Sequence, residues 1–294
     1  MAVITIIGAG WLGKPLADSL VDLNHIVYAS HTTPPLLQNS TGDTAIIHYF
    51  QCQLVGDKVS AQSDSVLTLA QQFKQQQCDV VIGCFPPGFR RGNSEQYQHY
   101  WQQLTLAAQQ ANVKKIIMVS STTVYPNQAL PMSEDKASLE QVHNGGDMFS
   151  DNARIMLQAE QYVIDSAIDY VIVRCSGLIG PNRHPARFVA KLKQVSTLAP
   201  ANMLLLNDAI GILNFAITHI HNDVINATTP NTVDKAHFYQ AALDTMGLDN
   251  ALPKQVAQAD KKIVAEKIQS LGYEFIYQHT LDAVMDLPKI LDMN

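Results

Sequence analysis

Three glycines near the start of the chain have a spacing that suits the binding of a diphosphate. They form a G-x-G-x-x-G pattern directly after a short apolar run and at the beginning of a helical pattern. In such a turn the first glycine makes a tight bend, the second lets the backbone approach a pyrophosphate, and the third allows close packing of helix on strand. The phosphates accept hydrogen bonds from N–H groups at the helix N-terminus. We therefore predict a dinucleotide site, the alternative being a turn that binds nothing. The predicted contacts are Gly8, Gly10, Trp11, Leu12 and Gly13.

The residues that follow the second apolar run indicate which dinucleotide is bound. Proteins that bind NAD usually have an Asp or Glu there, which holds the ribose 2′-OH. This chain has Ser30, His31, Thr32 and Thr33 instead. Because no carboxylate repels a 2′-phosphate, and hydroxyls and an imidazole can bind it, we predict NADP as the preferred cofactor and NAD as the second choice. A polar loop that only faces water is the alternative.

A run of hydroxyl groups follows a later apolar stretch. Ser120, Ser121, Thr122 and Thr123 come directly after it, and Tyr125 lies two positions further on. Parallel α/β sheets bind their ligands at the carboxyl ends of the strands, where a hydroxyl can donate a hydrogen bond to a developing alkoxide. The plainer interpretation is that serine and threonine merely terminate the strand.

The apolar runs themselves predict a scaffold that brings these residues to one edge of a sheet. Short runs rich in valine and isoleucine alternate with helical stretches as far as Cys175, which is typical of βαβ units and a parallel sheet covered on both faces. Right-handed crossovers favour the strand order 3-2-1-4-5-6 of a doubly wound Rossmann fold in the α/β class. The predicted strands are Val3–Ile7, Ile26–Ser30, Ala45–Tyr49, Val80–Cys84, Ile116–Val119 and Tyr170–Arg174. The predicted helices are Trp11–Leu23, Ser65–Gln76, Ser94–Ala111 and Asp151–Ser166.

The regular alternation fades after Arg174, which predicts a domain boundary. We assign residues 1–174 to the dinucleotide-binding domain and 175–294 to a smaller, discontinuous α+β substrate-binding part. About 207–228 is expected to return to the first domain, because Val224–Ala227 has strand character. Short helices are predicted near Arg187–Val195 and Asp208–Ile220.

Residues 126–150 stand out within the first part of the chain. They lack a clear period and contain Gly145 and Gly146. Loops of this length are uncommon without a function. The segment is therefore predicted to be a mobile lid over the site or a disordered loop.

Composition excludes several classes of protein. Hydrophobic residues make up 47% and charged residues 16%, with a net charge of −6, so neither disorder nor nucleic-acid binding is expected. The four cysteines form no C-x-x-C pair, which predicts reduced thiols and no metal site. No leader or apolar run long enough to span a bilayer is present, so we expect a cytoplasmic protein without a membrane partner.

The hydroxyl run resembles a family signature. Residues 119–125, VSSTTVY, resemble the SSxxVYG motif of the extended short-chain dehydrogenase/reductases, the NAD-dependent epimerase/dehydratase group. Residues 174–181, RCSGLIGP, resemble the R-P-x-x-x-Y-G-P of that family, and the likeness extends over most of the chain. The resemblance implies an NAD(P)-dependent oxidoreductase, epimerase or dehydratase that acts on a small polar or nucleotide-linked sugar substrate.

Roles for individual residues follow from this resemblance. Ser121 would hold a substrate oxygen beside the nicotinamide, with Thr122 as a further substrate contact. The helices Ser94–Ala111 and Asp151–Ser166 would form a homodimer interface, although packing on their own sheet explains their apolar residues equally well. The implied cofactor contacts are Gln53, Leu54, Phe85, Pro86, Pro87, Ser120, Cys175, Gly177 and Leu178.

The proton-transfer residues of the family are missing. Its Tyr-x-x-x-Lys lowers the pKa of the tyrosine so that it acts near neutrality, but no such pattern occurs here. Counting back from Glu160, which resembles the family's glutamate, puts Met156 at the lysine position and Asn152 at the tyrosine position. The candidate substitutes are Tyr125, His143, Asp147 and Asp151, and histidine has the most suitable intrinsic pKa among them.

Basic residues near the predicted cleft suggest an anionic substrate. Arg183 and Arg187 lie in the loop after Pro181, and Arg90 and Arg91 follow the fourth strand. Arginine suits phosphate and carboxylate groups, although solvated surface pairs are an equal alternative. Two further interpretations of the whole chain stay open, a non-catalytic NAD(P)-binding redox sensor or regulatory protein, and a scaffold that has lost its cofactor.

Overall fold

The computed structural model describes residues 1–34, 46–89, 92, 95–248 and 251–291. Its strands are β1 (Val3–Ile7), β2 (Ile26–His31), β3 (Ile47–Gln51), β4 (Val80–Gly83), β5 (Lys115–Ser121), β6 (Pro131–Met132), β7 (Asp169–Cys175), β8 (Gly177–Ile179), β9 (Gln194–Ser196), β10 (Met203–Leu205), β11 (Asp223–Ala227), β12 (Lys254–Val256) and β13 (Lys262–Ile263). Its helices are α1 (Gly13–Asp22), α2 (Asp64–Gln76), α3 (Gln96–Gln110), α4 (Leu139–Gly145), α5 (Asp151–Ile164), α6 (Ala186–Val189), α7 (Leu206–His219), α8 (Lys235–Thr245), α9 (Glu266–Ser270) and α10 (Thr280–Leu291).

The central sheet has the order β3-β2-β1-β4-β5-β7-β11. Strand β1 pairs in parallel with β2 and β4, and the parallel pairing continues to β3 on one side and β5 on the other. The predicted order of six strands is confirmed, and the predicted return of Val224–Ala227 adds β11 at the edge. Crossovers of one hand that leave β1 in opposite directions place their helices on opposite faces of the sheet.

The first four predicted helices are present, with ends that differ by a few residues. The third strand is shifted by two residues and ends at Gln51, while Ala45 lies outside the described residues. The helix predicted near Arg187–Val195 is wrong in extent. Only α6 is helical there, and β9 follows because it pairs with β12.

Residues 126–150 form ordered structure, so the prediction of a disordered loop is wrong. They contain β6, α4 and two short 3-10 turns at Glu134–Lys136 and Gly146–Met148. Strand β6 pairs in parallel with β13, a partner far along the chain that no local pattern reveals. The lid function stays a prediction.

The chain divides into two compact units. The first contains Met1–Val124, Asp151–Val173 and Leu213–Val224, and the second contains Tyr125–Ser150, Arg174–Ile212 and Ile225–Asn294. The prediction assigned the segment 125–150 to the first domain, whereas the structure groups it with the second unit. The segment that returns to the first unit is shorter than the predicted 207–228.

In the first unit, helices α2, α3 and α5 pack side by side. Leu104, Ala107, Ala108, Leu157 and Val163, apolar residues of the helices implied in dimerisation, are buried within the chain itself. Internal packing therefore accounts for them, and the homodimer stays a prediction. Within the described ranges, no helix has both the length and the apolar character needed to cross a membrane.

Candidate functional site

The glycine turn between β1 and α1 has the geometry that its three glycines predict. Gly8 has a φ of +102°, a conformation that suits glycine, and a Cβ on Gly13 would overlap the carbonyl oxygen of Gly8. At Gly10, by contrast, an added Cβ would meet no described heavy atom within 4 Å. The first and third glycines are thus required by packing, while the second borders open space where a ligand can approach.

Helix α1 begins at this turn without a side-chain cap. Leu12 occupies the N-cap position and makes no side-chain hydrogen bond, and the first turn contains no acidic residue. The N–H groups at the start of a helix lack partners within the helix and carry partial positive charge. The N-terminus of α1 is therefore suited to a phosphate.

The end of β2 forms hydrogen bonds that hold the glycine turn in place. The Ser30 hydroxyl accepts a hydrogen bond from the Gly8 N–H at 3.0 Å, and the Ser30 carbonyl accepts one from the Ala9 N–H at 2.8 Å. Ser30 is buried, so its contacts position the turn. The His31 and Tyr49 rings are tilted by 32° with centroids 5.2 Å apart, and Thr32 is exposed. Both residues lie at the end of β2, where dinucleotide-binding folds usually hold the ribose.

Other predicted cofactor contacts follow the neighbouring strands. Gln53 is exposed and Leu54 half-buried beyond the end of β3. After β4, the Phe85 ring packs 4.9 Å from Trp101 of α3, and Pro86 and Pro87 follow it. Since the strands are parallel, these residues lie at the same edge of the sheet as the glycine turn.

Three further predicted cofactor contacts lie in the second unit. Cys175 is buried, and this burial raises the pKa of its thiol to about 12, so the thiol stays protonated. Gly177 and Leu178 belong to β8, which pairs with β10.

Two adjacent serines at the end of β5 point in different directions. The buried Ser120 hydroxyl donates to Glu160 Oε1 on α5 at 2.6 Å. The half-buried Ser121 hydroxyl lies 3.0 Å from Thr123 Oγ1 and accepts a hydrogen bond from the Thr123 N–H at 3.2 Å. Since neighbouring residues of a strand face opposite sides, Ser120 supports the fold and Ser121 remains open to a ligand. The sequence interpretation missed both the Ser120–Glu160 contact and Thr123 as the partner of Ser121.

The Ser120–Glu160 hydrogen bond fixes the position of α5 beside the end of β5. Met156 and Asn152 lie one and two turns before Glu160 on the same helical face. Met156 is buried, and a thioether carries no exchangeable proton and no charge. The position that holds a lysine in the resembled family is thus filled by an apolar side chain.

Tyr125, the first predicted substitute, is enclosed in the second unit. Its hydroxyl donates to Asn226 Oδ1 at 2.5 Å and accepts a hydrogen bond from Arg174 Nη1 at 3.2 Å. Tyr125 is only 1% exposed. Because the phenol proton is already bound to a buried amide, this position does not favour the predicted catalytic role.

Three further predicted residues lie at the surface of the second unit, namely His143, Arg183 and Arg187. His143 is exposed on α4, with its Nδ1 2.7 Å from the carbonyl oxygen of Leu139. Arg183 and Arg187 are exposed. The pKa of His184, which lies between them in sequence, is lowered by burial and by the charge of Arg187. Arg90 and Arg91 lie outside the described residues.

Comparisons with known proteins agree with this fold. Residues 55–199 match a family model described as NAD(P)H-binding. The chain is 26% identical to Protein YeeZ of Escherichia coli (strain K12), a similarity that covers 96% of this chain and 98% of that protein. Residues 55–199 thus resemble an NAD(P)H-binding family, and one relative matches this chain almost from end to end.

Two solved structures extend the comparison. UDP-glucose 4-epimerase from Thermotoga maritima superposes with a TM-score of 0.75 and 14% identity, over 99% of each chain. A dTDP-glucose 4,6-dehydratase from Bacillus anthracis, solved with NAD, gives a TM-score of 0.74 and 14% identity, over 100% of this chain and 97% of that one. The fold implied by the family resemblance, that of the extended epimerases and dehydratases, is confirmed.

Proposed function

We propose that the protein binds NADP, or with lower affinity NAD, at the glycine turn and holds an oxygen of a small polar substrate with Ser121. The observation that carries this proposal is the presence of two open polar sites at one edge of one sheet. The turn follows β1, and the Ser121–Thr123 hydroxyl pair follows β5, two strands away in the sheet order. Strands are spaced about 4.8 Å apart, so the sites are roughly 10 Å apart, within the reach of an extended dinucleotide.

The proposed reaction class is oxidation or reduction at a carbon that carries an oxygen, as in an oxidoreductase, epimerase or dehydratase. A bound nicotinamide supplies a hydride or accepts one. Ser121 donates a hydrogen bond to the substrate oxygen and favours the charge that develops there, while Thr123 orients the Ser121 hydroxyl. The similar solved structures are named for UDP-glucose and dTDP-glucose, which supports a nucleotide-linked sugar, whose phosphates Arg183 and Arg187 would bind.

A second candidate function is a non-catalytic NAD(P)-binding redox sensor or regulatory protein. The observation that favours it is the buried Met156 at the position of the catalytic lysine. Among the buried residues that the structure describes on α5, Glu160 is the only ionisable one, and its carboxyl group already accepts the hydrogen bond from Ser120. His143 stays a proposed acid or base for the catalytic alternative.

Calorimetric titration with NADP⁺, NADPH, NAD⁺ and NADH tests the shared part of both candidates. We expect micromolar binding, with tighter binding of the phosphorylated pair because no carboxylate follows β2. In the Gly10→Leu variant the side chain enters open space, so the melting temperature should stay unchanged while affinity falls by about 100-fold. Absence of binding in folded wild-type protein would refute both candidates. Equal affinities for the two pairs would refute only the preference for NADP.

A second measurement separates the enzyme from the sensor. The protein loaded with each dinucleotide is mixed with UDP-glucose or dTDP-glucose, the nicotinamide absorbance is followed, and the sugar is analysed by NMR. A chemical conversion of the sugar by the wild-type protein that the Ser121→Ala variant no longer performs supports the enzymatic function. Tight cofactor binding with both sugars unchanged supports the sensor for these substrates.

A further inference from the structure

A buried glutamine lies in the middle of α3. Gln103 is only 2% exposed, and its neighbours Trp101 and Leu104 are fully buried. Burial of an amide is costly unless its donor and its acceptor both have partners. Gln103 Oε1 accepts a hydrogen bond from the Val55 N–H at 2.8 Å, and Gln103 Nε2 donates one to the carbonyl oxygen of Ser65 at 3.1 Å. This side chain therefore joins α3 to the backbone just after β3 and to the first turn of α2.

Three more side chains of α3 bind the β3–α2 connection, residues 52–63. The structure describes all of these residues, and they form no helix or strand. Backbone groups without regular structure need partners from elsewhere, and here α3 supplies them, so α3 sets the path of the connection. The further pairs are His99 Nδ1 with the Gly56 carbonyl oxygen at 2.8 Å, Gln102 Oε1 with the Val59 N–H at 3.3 Å, and Gln110 Nε2 with the Ala61 carbonyl oxygen at 2.5 Å.

The β3–α2 connection begins beside the proposed dinucleotide site. A dinucleotide in this fold has its pyrophosphate at the turn after β1 and its ribose at the end of β2. Ser121, which the proposed function places beside the nicotinamide, follows β5 on the other side of β1 in the sheet order. The adenine half would then extend in the opposite direction, toward β3. Gln53 and Leu54 follow β3 directly, and Leu54 is adjacent to the Val55 N–H that Gln103 binds.

We propose that Gln103 is a positioning residue for the adenine end of the bound dinucleotide, and that Gln102 has a lesser part in the same role. Gln103 is enclosed and acts through the backbone, because its bond to Val55 fixes Leu54 against the base. Gln102 acts from further away, since it binds Val59, five residues beyond Leu54. The inference rests on the proposed dinucleotide site and adds the part of the fold that determines affinity for the adenine half.

Three glutamine-to-methionine variants of the full-length protein test this role on one helix. Gln103→Met and Gln102→Met each remove a bond to the β3–α2 connection. Gln109→Met is the control, because Gln109 Nε2 donates instead to the carbonyl oxygen of Ser166, in the turn after α5, at 2.8 Å. Each protein is titrated by calorimetry with the nicotinamide dinucleotide that the wild type binds most tightly, and with ADP, which carries the adenine end alone. We expect both dissociation constants to rise about tenfold in Gln103→Met, about threefold in Gln102→Met and less than about twofold in Gln109→Met.

Calorimetry also separates positioning from a purely structural role. A variant that is only less stable has fewer binding sites per molecule and an unchanged dissociation constant, whereas loss of positioning raises the constant at an unchanged number of sites. Equal constants in Gln103→Met and Gln109→Met, or a rise for the dinucleotide without one for ADP, would overturn the inference and leave the proposed function standing. Where Gln103→Met does not fold, equal constants in Gln102→Met and Gln109→Met have the same meaning. Absence of dinucleotide binding by the folded wild type would overturn both.

Discussion

Polar groups are bound differently at the amino edge of the central sheet, where its parallel strands begin, and at the carboxyl edge, where they end. At the amino edge, Lys115 Nζ donates to three carbonyl oxygens near the end of α7, at 3.1, 2.9 and 2.6 Å, and lies 3.3 Å from Asp169. Asp79 at the same edge accepts hydrogen bonds from the Val3 N–H and from Lys114. At the carboxyl edge, the N-terminus of α1 has no side-chain cap and the Ser121 hydroxyl is half-buried beside Thr123.

This difference separates stability from function within one sheet. Polar groups that are satisfied by the protein itself stabilise the fold, since leaving either partner buried and alone is costly. Polar groups at the carboxyl edge that have room beside them remain for a ligand. Substitutions at the amino edge should therefore change the free energy of unfolding, and substitutions of open groups at the carboxyl edge should change binding or turnover.

Lys115→Met gives the largest expected effect on stability. The methionine retains the volume of the side chain but leaves three carbonyl oxygens and the Asp169 carboxylate without their buried cation. We expect the free energy of unfolding to fall by about 3 kcal/mol, measured by urea denaturation. NADPH affinity, measured by calorimetry on the folded variant, should stay unchanged. A loss of affinity with full stability would break the division between the two edges.

The adjacent serines at the end of β5 provide a sharper comparison within the carboxyl edge. Ser120→Ala removes the donor to the buried Glu160 and should lower the free energy of unfolding by about 2 kcal/mol. Ser121→Ala should change it by less than about 0.5 kcal/mol, yet lower kcat/KM for the proposed sugar substrate by about 100-fold.

Each serine variant serves as the control for the other, since the same chemical change is made one residue apart. Urea denaturation and steady-state kinetics are measured on both. Equal losses of stability would show that Ser121 is a structural residue, as the plainer interpretation of the hydroxyl run holds.

Tyr125→Phe tests a residue that sequence interpretation places at the site and the structure places in a buried network. Removal of the hydroxyl leaves Asn226 Oδ1 without its donor and should lower the free energy of unfolding by about 1.5 kcal/mol. Turnover per folded molecule should be unchanged, because the phenol is enclosed by Asn226 and Arg174. A loss of kcat with stability retained would restore the catalytic role of Tyr125.

The sequence predicted the sheet well because its evidence is local. Runs of valine and isoleucine such as Val80–Ile82 and Ile116–Val119 are long enough to indicate buried strands, and the Gly8–Gly13 spacing identifies the turn without knowledge of the rest of the chain. The predicted strand order followed from right-handed crossovers together with the usual order of a doubly wound sheet.

Features that depend on distant residues were missed or mistaken. Strand β6 is only two residues long and is ordered by β13, so residues 126–150 gave no periodic signal. The direction of Ser120 depends on Glu160, and the enclosure of Tyr125 depends on Asn226 and Arg174. Residue type indicated possible chemistry at these positions, but only the partners across the fold decide which hydroxyl is open.

The smallest predicted effect concerns Asp169 at the amino edge. Burial raises the pKa of this carboxyl group. The hydrogen bond to His221 and the charge of Lys115 together lower the pKa by more, so the pKa lies below its ordinary value of 3.8. A carboxylate with a lowered pKa in the folded state contributes stability that is complete above the usual pKa and is lost as the pH falls through the folded value. Asp169→Asn should therefore cost about 1 kcal/mol at neutral pH, and the difference from wild type should shrink in urea titrations at acid pH. A difference that stays constant down to acid pH would assign the effect to packing rather than to charge at this edge.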